Sequence, residues 1–296
     1  LRRRQRQMCI RDRFFEVVDL DLDGYSDTVM LFTTENSKRI FTIINGTTRA
    51  ISVNLTLNDA LDVTIGNFSA SNGREIAIVY STNDTVAIYN YKFQRIISGI
   101  ISNVYRVATV SNASWHYEAL LALLSTTPKN VTIYNATTLT PLGYSAEVDF
   151  YWGVKPKAAD LDNDKTTEIV IPTANGFAIF DLTTNNITKI AILFSDYPKY
   201  LITSKITRDE TYDFVIGSDE VIFMFKGSKG TVAKPRILRK ISEPSYIQSF
   251  EVMQYDTGLP DLFVLTNFYL YVYKSDSSAP RLSDLKIYPL RPTIDD

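Results

Sequence analysis

An acidic residue followed by four mostly apolar ones recurs six times along this 296-residue chain. The copies are Asp27-Thr-Val-Met-Leu31, Glu75-Ile-Ala-Ile-Val79, Glu118-Ala-Leu-Leu-Ala122, Glu168-Ile-Val-Ile-Pro172, Asp213-Phe-Val-Ile-Gly217 and Asp261-Leu-Phe-Val-Leu265. They stand 48, 43, 50, 45 and 48 residues apart. A second apolar-alternating segment follows each copy, at 39–43, 86–90, 131–135, 177–181, 221–225 and 269–273. Short strand-like runs precede them, as at 60–66, 105–110 and 246–252, and weaker ones trail them, as at 49–53 and 189–194. Four short strands in about 47 residues, repeated, is the rhythm of β-propeller blades. A four-stranded sheet that is apolar on both faces cannot bury both alone, so such sheets stack. A β-solenoid would use shorter coils of about 20–30 residues. Helical periodicity is absent, and the 12 glycines and 11 prolines fall mainly between strands. The expectation is all-β: a β-propeller of about six four-stranded blades over residues 14–275, with seven possible in the intact protein.

Two of the acidic anchors close loops of alternating carboxylates. The first runs Asp19-Leu-Asp21-Leu-Asp23-Gly24-Tyr25-Ser-Asp27, and the second Asp160-Leu-Asp162-Asn-Asp164-Lys165-Thr166-Thr-Glu168. Alternate residues of a curling loop point the same way, so positions 1, 3 and 5 converge. Position 7 (Tyr25 or Thr166) offers its backbone carbonyl, and position 9 (Asp27 or Glu168) closes the cage. Calcium takes six to eight such oxygens at about 2.3–2.6 Å. Gly24 suits the sharp turn at position 6; Lys165 in its place predicts strain. An EF-hand shares the opening but needs a bidentate Glu at position 12 and flanking helices. Position 12 is Met30 in one loop and Ile171 in the other, and the flanks read as strands.

This register of acidic loops between the first and second strands of a blade resembles the FG-GAP/VCBS-type repeats, also found in the integrin α-subunit propeller. The resemblance covers residues 14 to about 275. It implies calcium in the first and fourth blades only. The other loops are poor in acid: Asn67, Ser69, Ser71 and Glu75; Asn112, Ser114 and Glu118; Lys205, Asp209 and Asp213; and Asp261 alone. These are expected to hold their turns without metal.

Residues 1–13 match nothing after them. They carry six arginines and the only cysteine, Cys9. The run resembles a translated sequencing adapter, which implies a truncated native N-terminus. Without it the formal charge moves from −2 to −7. A mildly acidic domain does not suit phosphate binding, so nucleic acid is not the expected partner. The Arg236, Arg239 and Lys240 cluster reads as one strand edge. No apolar run approaches the roughly 18 residues of a membrane-spanning helix. Eight Asn-x-Ser/Thr sequons (Asn45, Asn54, Asn67, Asn83, Asn112, Asn130, Asn135, Asn186) suggest a glycosylated surface protein. Weak calcium modules fill outside the cell, which agrees. The tail from Asp276 is either a last blade strand around Leu285 or a linker into a further domain that opens like an immunoglobulin module.

Catalytic signatures are sparse. His116 is the only histidine, which excludes most Ser-His-Asp and Cys-His triads and histidine-rich metal sites. It sits between Trp115 and Tyr117 at an expected turn. No Gly-rich phosphate loop occurs. A glycosidase needs two acids about 5–10 Å apart; Glu147, Asp149 and Asp181 are unmarked for that role. A lyase-like propeller would pair calcium with a base, for which Tyr151, Lys155 and Lys157 near the second loop are the candidates. Trp115, Trp152 and the tyrosines could stack on sugars, although packing is the commoner use. The expected function is an extracellular or cell-surface calcium-binding propeller for adhesion or binding of a protein or glycan, not an enzyme. A calcium-using polysaccharide enzyme and a structural spacer of a larger surface protein are the alternatives.

Overall fold

The computed structural model describes residues 14–34, 36–69, 73–110, 120–151, 153–192, 197–206, 211–227, 236–242, 247–253, 261–266, 269–275 and 282–289. Residues 1–13, Ser71, Asn112, Ser114, Trp115, His116, Tyr117, Glu118, Trp152, Asp209, Tyr246 and 276–281 therefore lie outside the described residues. The fold is all-β, a β-propeller arrangement of four-stranded antiparallel sheets. Among the described residues there are six such sheets, each built from consecutive strands in chain order.

The first sheet is β1 (Phe14–Val18), β2 (Asp27–Thr33), β3 (Arg39–Ile44) and β4 (Ile51–Thr56). The second is β5 (Ala60–Gly66), β6 (Glu75–Tyr80), β7 (Thr85–Tyr89) and β8 (Arg95–Ile100). The third is β9 (Val104–Val110), β10 (Leu120–Thr126), β11 (Lys129–Asn135) and β12 (Pro141–Glu147). The fourth is β13 (Lys157–Ala159), β14 (Glu168–Thr173), β15 (Gly176–Asp181) and β16 (Asn186–Ala191). The fifth is β17 (Tyr200–Ser204), β18 (Asp213–Gly217), β19 (Val221–Lys226) and β20 (Arg236–Ser242). The sixth is β21 (Ile247–Met253), β22 (Asp261–Thr266), β23 (Tyr269–Ser275) and β24 (Leu282–Pro289). The apolar run around Leu285 lies in β24, which pairs antiparallel with β23. In five sheets the recurring acid is the first residue of the second strand: Asp27, Glu75, Glu168, Asp213 and Asp261.

The chain divides into two compact units. In the first, Val29, Leu31, Phe41 and Ile43 of the first sheet pack on Val63, Ile65, Ile76 and Ile78 of the second. In the second, strand alternation sends successive side chains to opposite faces. Phe214, Ile216, Phe223 and Phe225 pack against Val170, Phe177 and Ile179 of the fourth sheet. Their neighbours Val215, Ile222 and Met224 pack against Leu262, Val264 and Tyr271 of the sixth. That double coverage is why the second strands are near-continuous apolar runs, with β6, β14 and β18 buried over most of their length. The fourth strands β4, β8 and β16 are mostly exposed, which accounts for their weaker apolar pattern. β2 departs from the rule: Val29 and Leu31 are buried while Thr28, Met30 and Phe32 are half-buried. Beside Met30 and Thr28, Phe15 and Val17 of β1 are 63% and 55% exposed. No helix among the described residues is long and apolar enough to cross a membrane.

Candidate metal centres

Each sheet must turn from its first strand into its second, and one device recurs at that turn. The buried acid opening the second strand accepts the backbone N–H of the apolar residue seven positions before it. Leu20 donates to Asp27 Oδ2 at 2.9 Å, and Phe68 to Glu75 Oε2 at 2.7 Å. Leu161 donates to Glu168 Oε2 at 2.6 Å, and Ile206 to Asp213 Oδ2 at 3.1 Å. Leu20, Phe68, Leu161 and Ile206 are themselves buried, so the clamp sits under an apolar plug.

What the second carboxylate oxygen does separates the loops. Glu75 Oε1 accepts Ser69 Oγ, and Asp213 Oδ1 accepts the Gly227 N–H at 3.2 Å. In these two acid-poor loops the protein supplies both partners. In the fourth sheet Glu168 Oε1 is buried with no hydrogen-bond partner, and so is Asp160 Oδ1. In the first sheet Asp21 Oδ1 is in the same position. Leaving a buried carboxylate oxygen unmatched is costly unless a cation faces it.

The surrounding residues fit that cation. Asp19, Asp21 and Asp27 each bring an oxygen within 4.8 Å of the others, and Asp160, Asp162 and Glu168 do the same. Ligands on opposite sides of an ion bound at about 2.4 Å are about 4.8 Å apart, so both triads can converge on one hard cation. The remaining expected ligands stand differently. Asp23 Oδ1 accepts the Tyr25 N–H at 2.8 Å and Oδ2 accepts Thr47 Oγ1. Asp164 Oδ1 accepts the Thr166 N–H at 2.6 Å and Oδ2 accepts Thr183 Oγ1 at 2.5 Å. The position-5 carboxylates thus accept an amide of their own loop and a threonine hydroxyl from the turn after the third strand, and lie outside the two triads. Tyr25 and Thr166 keep their place at position 7, where their amides close those turns. Position 6 has the left-handed backbone its role demands, at φ +91° for Gly24 and +72° for Lys165.

Charge follows geometry. Burial, then the neighbouring Asp27 and Asp23, raises the pKa of Asp21. The Thr47 hydroxyl and the Tyr25 amide hold Asp23 below the usual carboxylate range. Burial and Asp164 push Asp162 up to about 6. Burial pushes Glu168 up to about 9, against the Leu161 amide that lowers it.

Each centre also leans on the sheet that follows it. The Arg74 N–H, one residue before Glu75, donates to Leu20 O at 2.7 Å. The Tyr212 N–H, one residue before Asp213, donates to Asp160 O at 3.1 Å. A turn after the third strand grips the loop from the other side. In the first sheet, Asn45 Nδ2 donates to Asp27 Oδ1 at 3.3 Å and to Asp21 Oδ2 at 3.5 Å, and the Gly46 N–H to Asp27 Oδ1 at 2.8 Å. Sequence reading missed these residues. The available signal was a second motif, Asn45-Gly-Thr-Thr48, Asn135-Ala-Thr-Thr138 and Asp181-Leu-Thr-Thr184. Its first side chain caps the turn, as in Thr137 and Thr138 N–H to Asn135 Oδ1 at 2.8 and 3.0 Å.

The side chains weighed for catalysis stand as follows. Asp149 pairs with Lys129, and Asp181 accepts the Thr183 and Thr184 amides. Glu147 ends β12 opposite Asn130, and Lys157 opens β13 opposite Val170. Tyr151 stacks on Tyr197, with centroids 5.0 Å apart and planes at 5°.

No family model matches the chain, and no curated protein matches it in sequence. Among solved structures it is similar to BBS1N in complex with ARL6DN, in a mercury-soaked crystal. That match has a TM-score of 0.62 and 14% identity over 93% of this chain and 79% of that one. A lead-soaked crystal of the same complex gives 0.61 and 15% over 93% and 80%. KlHsv2 with loop 6CD replaced by a Gly-Ser linker gives 0.53 and 12% over 88% and 78%. At these identities the likeness establishes the propeller fold.

Proposed function

We propose that this chain is an extracellular, calcium-stabilised β-propeller of the FG-GAP/VCBS type that binds a protein or glycan partner. The observation that carries the reading is the set of buried carboxylate oxygens without a donor, Asp21 Oδ1, Asp160 Oδ1 and Glu168 Oε1, each inside a converging acidic triad. Three carboxylates so close repel one another, and a hard divalent cation offsets that repulsion. The ion's role is structural. It fixes the first-to-second strand turn and, through Leu20 O and Asp160 O, the edge of the next sheet. Stiffened sheets then present their connecting loops for recognition. A binding role agrees with the propeller BBS1N, which was crystallised in complex with ARL6DN.

The test has two arms. Calcium at about 1–2 mM, the range of extracellular modules, is expected to raise the melting temperature, and a chelator to reverse it. The labelled protein applied to a glycan array and to intact cells is expected to be retained in calcium and released by chelator. Melting that ignores both calcium and chelator would sink the structural role of the ion. Retention indifferent to the chelator would separate recognition from the metal.

A further inference from the structure

Resting on that reading, we propose that the two acidic loops are unequal. The loop of the fourth sheet is the tight divalent-cation site, and the loop of the first sheet is latched by the Asn45 amide and takes the cation more weakly.

The difference lies in how many oxygens the protein already uses. In the first loop, Asp19 Oδ1 and Oδ2 accept the Asp23 and Gly24 amides at 3.1 and 2.9 Å. Asp27 spends Oδ2 on Leu20 and Oδ1 on Gly46 and Asn45. Asp21 Oδ2 faces Asn45, which leaves Asp21 Oδ1 as the one buried oxygen without a donor. In the fourth loop, Asp160 gives only Oδ2 to an amide, that of Lys165 at 3.1 Å. Glu168 gives only Oε2, to Leu161. Two residues there hold a buried free oxygen, and Glu168 is fully buried.

The latch has a counterpart that shows what it replaces. Asn45 opens the Asn-Gly-Thr-Thr turn after β3, and Asp181 opens the Asp-Leu-Thr-Thr turn after β14's partner β15. An amide can donate into a cluster of carboxylates; a carboxylate cannot. Asn45 therefore holds the first loop together without a metal, and an arriving cation must compete with it. Asp181 instead turns to the Thr183 and Thr184 amides and adds charge on the side of Asp162. Cation affinity in such loops rises with the charge and number of available oxygens.

Calorimetric titration of the metal-stripped full chain with calcium chloride tests this. Two classes of site are expected, at least about tenfold apart in Kd. Glu168→Gln should remove the tight class and Asp21→Asn only the weak one. Asn45→Asp, which copies the fourth-sheet turn, should tighten the weak class about fivefold. Circular dichroism of each variant in calcium checks that it is folded. One class of two identical sites, or loss of the tight class in folded Asp21→Asn, overturns the inequality and leaves the cation reading standing. No heat of binding at either loop overturns both.

Discussion

Glu168 places a carboxyl where ionisation is unfavourable until a cation arrives. Burial lifts its pKa to about 9, whereas an ordinary glutamate titrates near 4.5. Between those values the metal-free folded chain holds a proton that the unfolded chain has released. Stability of the metal-free form therefore falls as pH rises across that window. Asp162, lifted to about 6, acts in the same direction over a narrower range. On the proposed function calcium would reverse the sense, because its binding requires the carboxylates and expels those protons. The calcium-induced rise in melting temperature is thus expected to be larger at pH 8 than at pH 5.5, by differential scanning fluorimetry. Glu168→Gln, which can keep an acceptor on the Leu161 amide, should flatten that pH dependence. Equal calcium shifts at both pH values would contradict the assignment. The alternating aspartates that build these centres are plain in the sequence, since their spacing is local. That Asp23 and Asp164 are also held by threonine hydroxyls is not, because Thr47 and Thr183 come from turns 24 and 19 residues further on.

The strand-opening acid is the common element of the blades, and its worth is measurable at Asp213, whose two oxygens both have protein donors. Asp213 is buried and accepts the Ile206 and Gly227 amides. Asp213→Ala strands both donors and is expected to cost about 3 kcal/mol in urea unfolding, with or without chelator. A chelator-dependent loss would instead place a metal at this loop. Gly227 fits only because it has no side chain: a Cβ there would lie 2.3 Å from Tyr212 O and 2.4 Å from Leu161 O. Leu161 belongs to the fourth-sheet acidic loop, so Gly227→Ala should destabilise by about 1–3 kcal/mol and also weaken the calcium response. The same contact predicts hydrogen exchange. Stripping calcium should speed exchange at the Tyr212 and Arg74 amides, which donate to Asp160 O and Leu20 O, more than at Val215 in the middle of β18. Uniform exchange across these amides would show that the loops do not brace the following sheets. The acids were legible because they recur in register with the apolar runs. Gly46 and Gly227, which play one role, were not, since they follow their acids by 19 and 14 residues and no fixed period aligns them.

Across the whole chain, the sixfold pattern of apolar runs sufficed to read the sheets, because most second strands, β6, β14 and β18 above all, are buried on both faces and so are apolar over most of their length. Sequons are a different kind of signal, for a tripeptide says nothing about whether its asparagine can carry a sugar. Asn135 is 8% exposed and caps its turn with Oδ1. Asn45 has its amide committed to Asp27 and Asp21. A glycan is joined through Nδ2, so at Asn45 it would displace those donated bonds and at Asn135 it would have to enter packed space. Asn67, Asn83 and Asn186 are exposed, at the turn before β6, in the short 3₁₀ turn before β7 and at the start of the exposed strand β16. At Asn83 the left-handed backbone, φ +56°, is one asparagine tolerates well. If the chain passes through a glycosylating secretory route, these three should carry N-glycans and Asn45 and Asn135 should not. Glycopeptide mass spectrometry of protein secreted from eukaryotic cells reads the pattern directly. Occupancy at Asn135 in folded, secreted protein would mean that its turn is not closed as described. Bare asparagines at these three and at Asn54, which is also exposed, in β4, would remove the glycosylated-surface reading, while leaving the metal centres untouched.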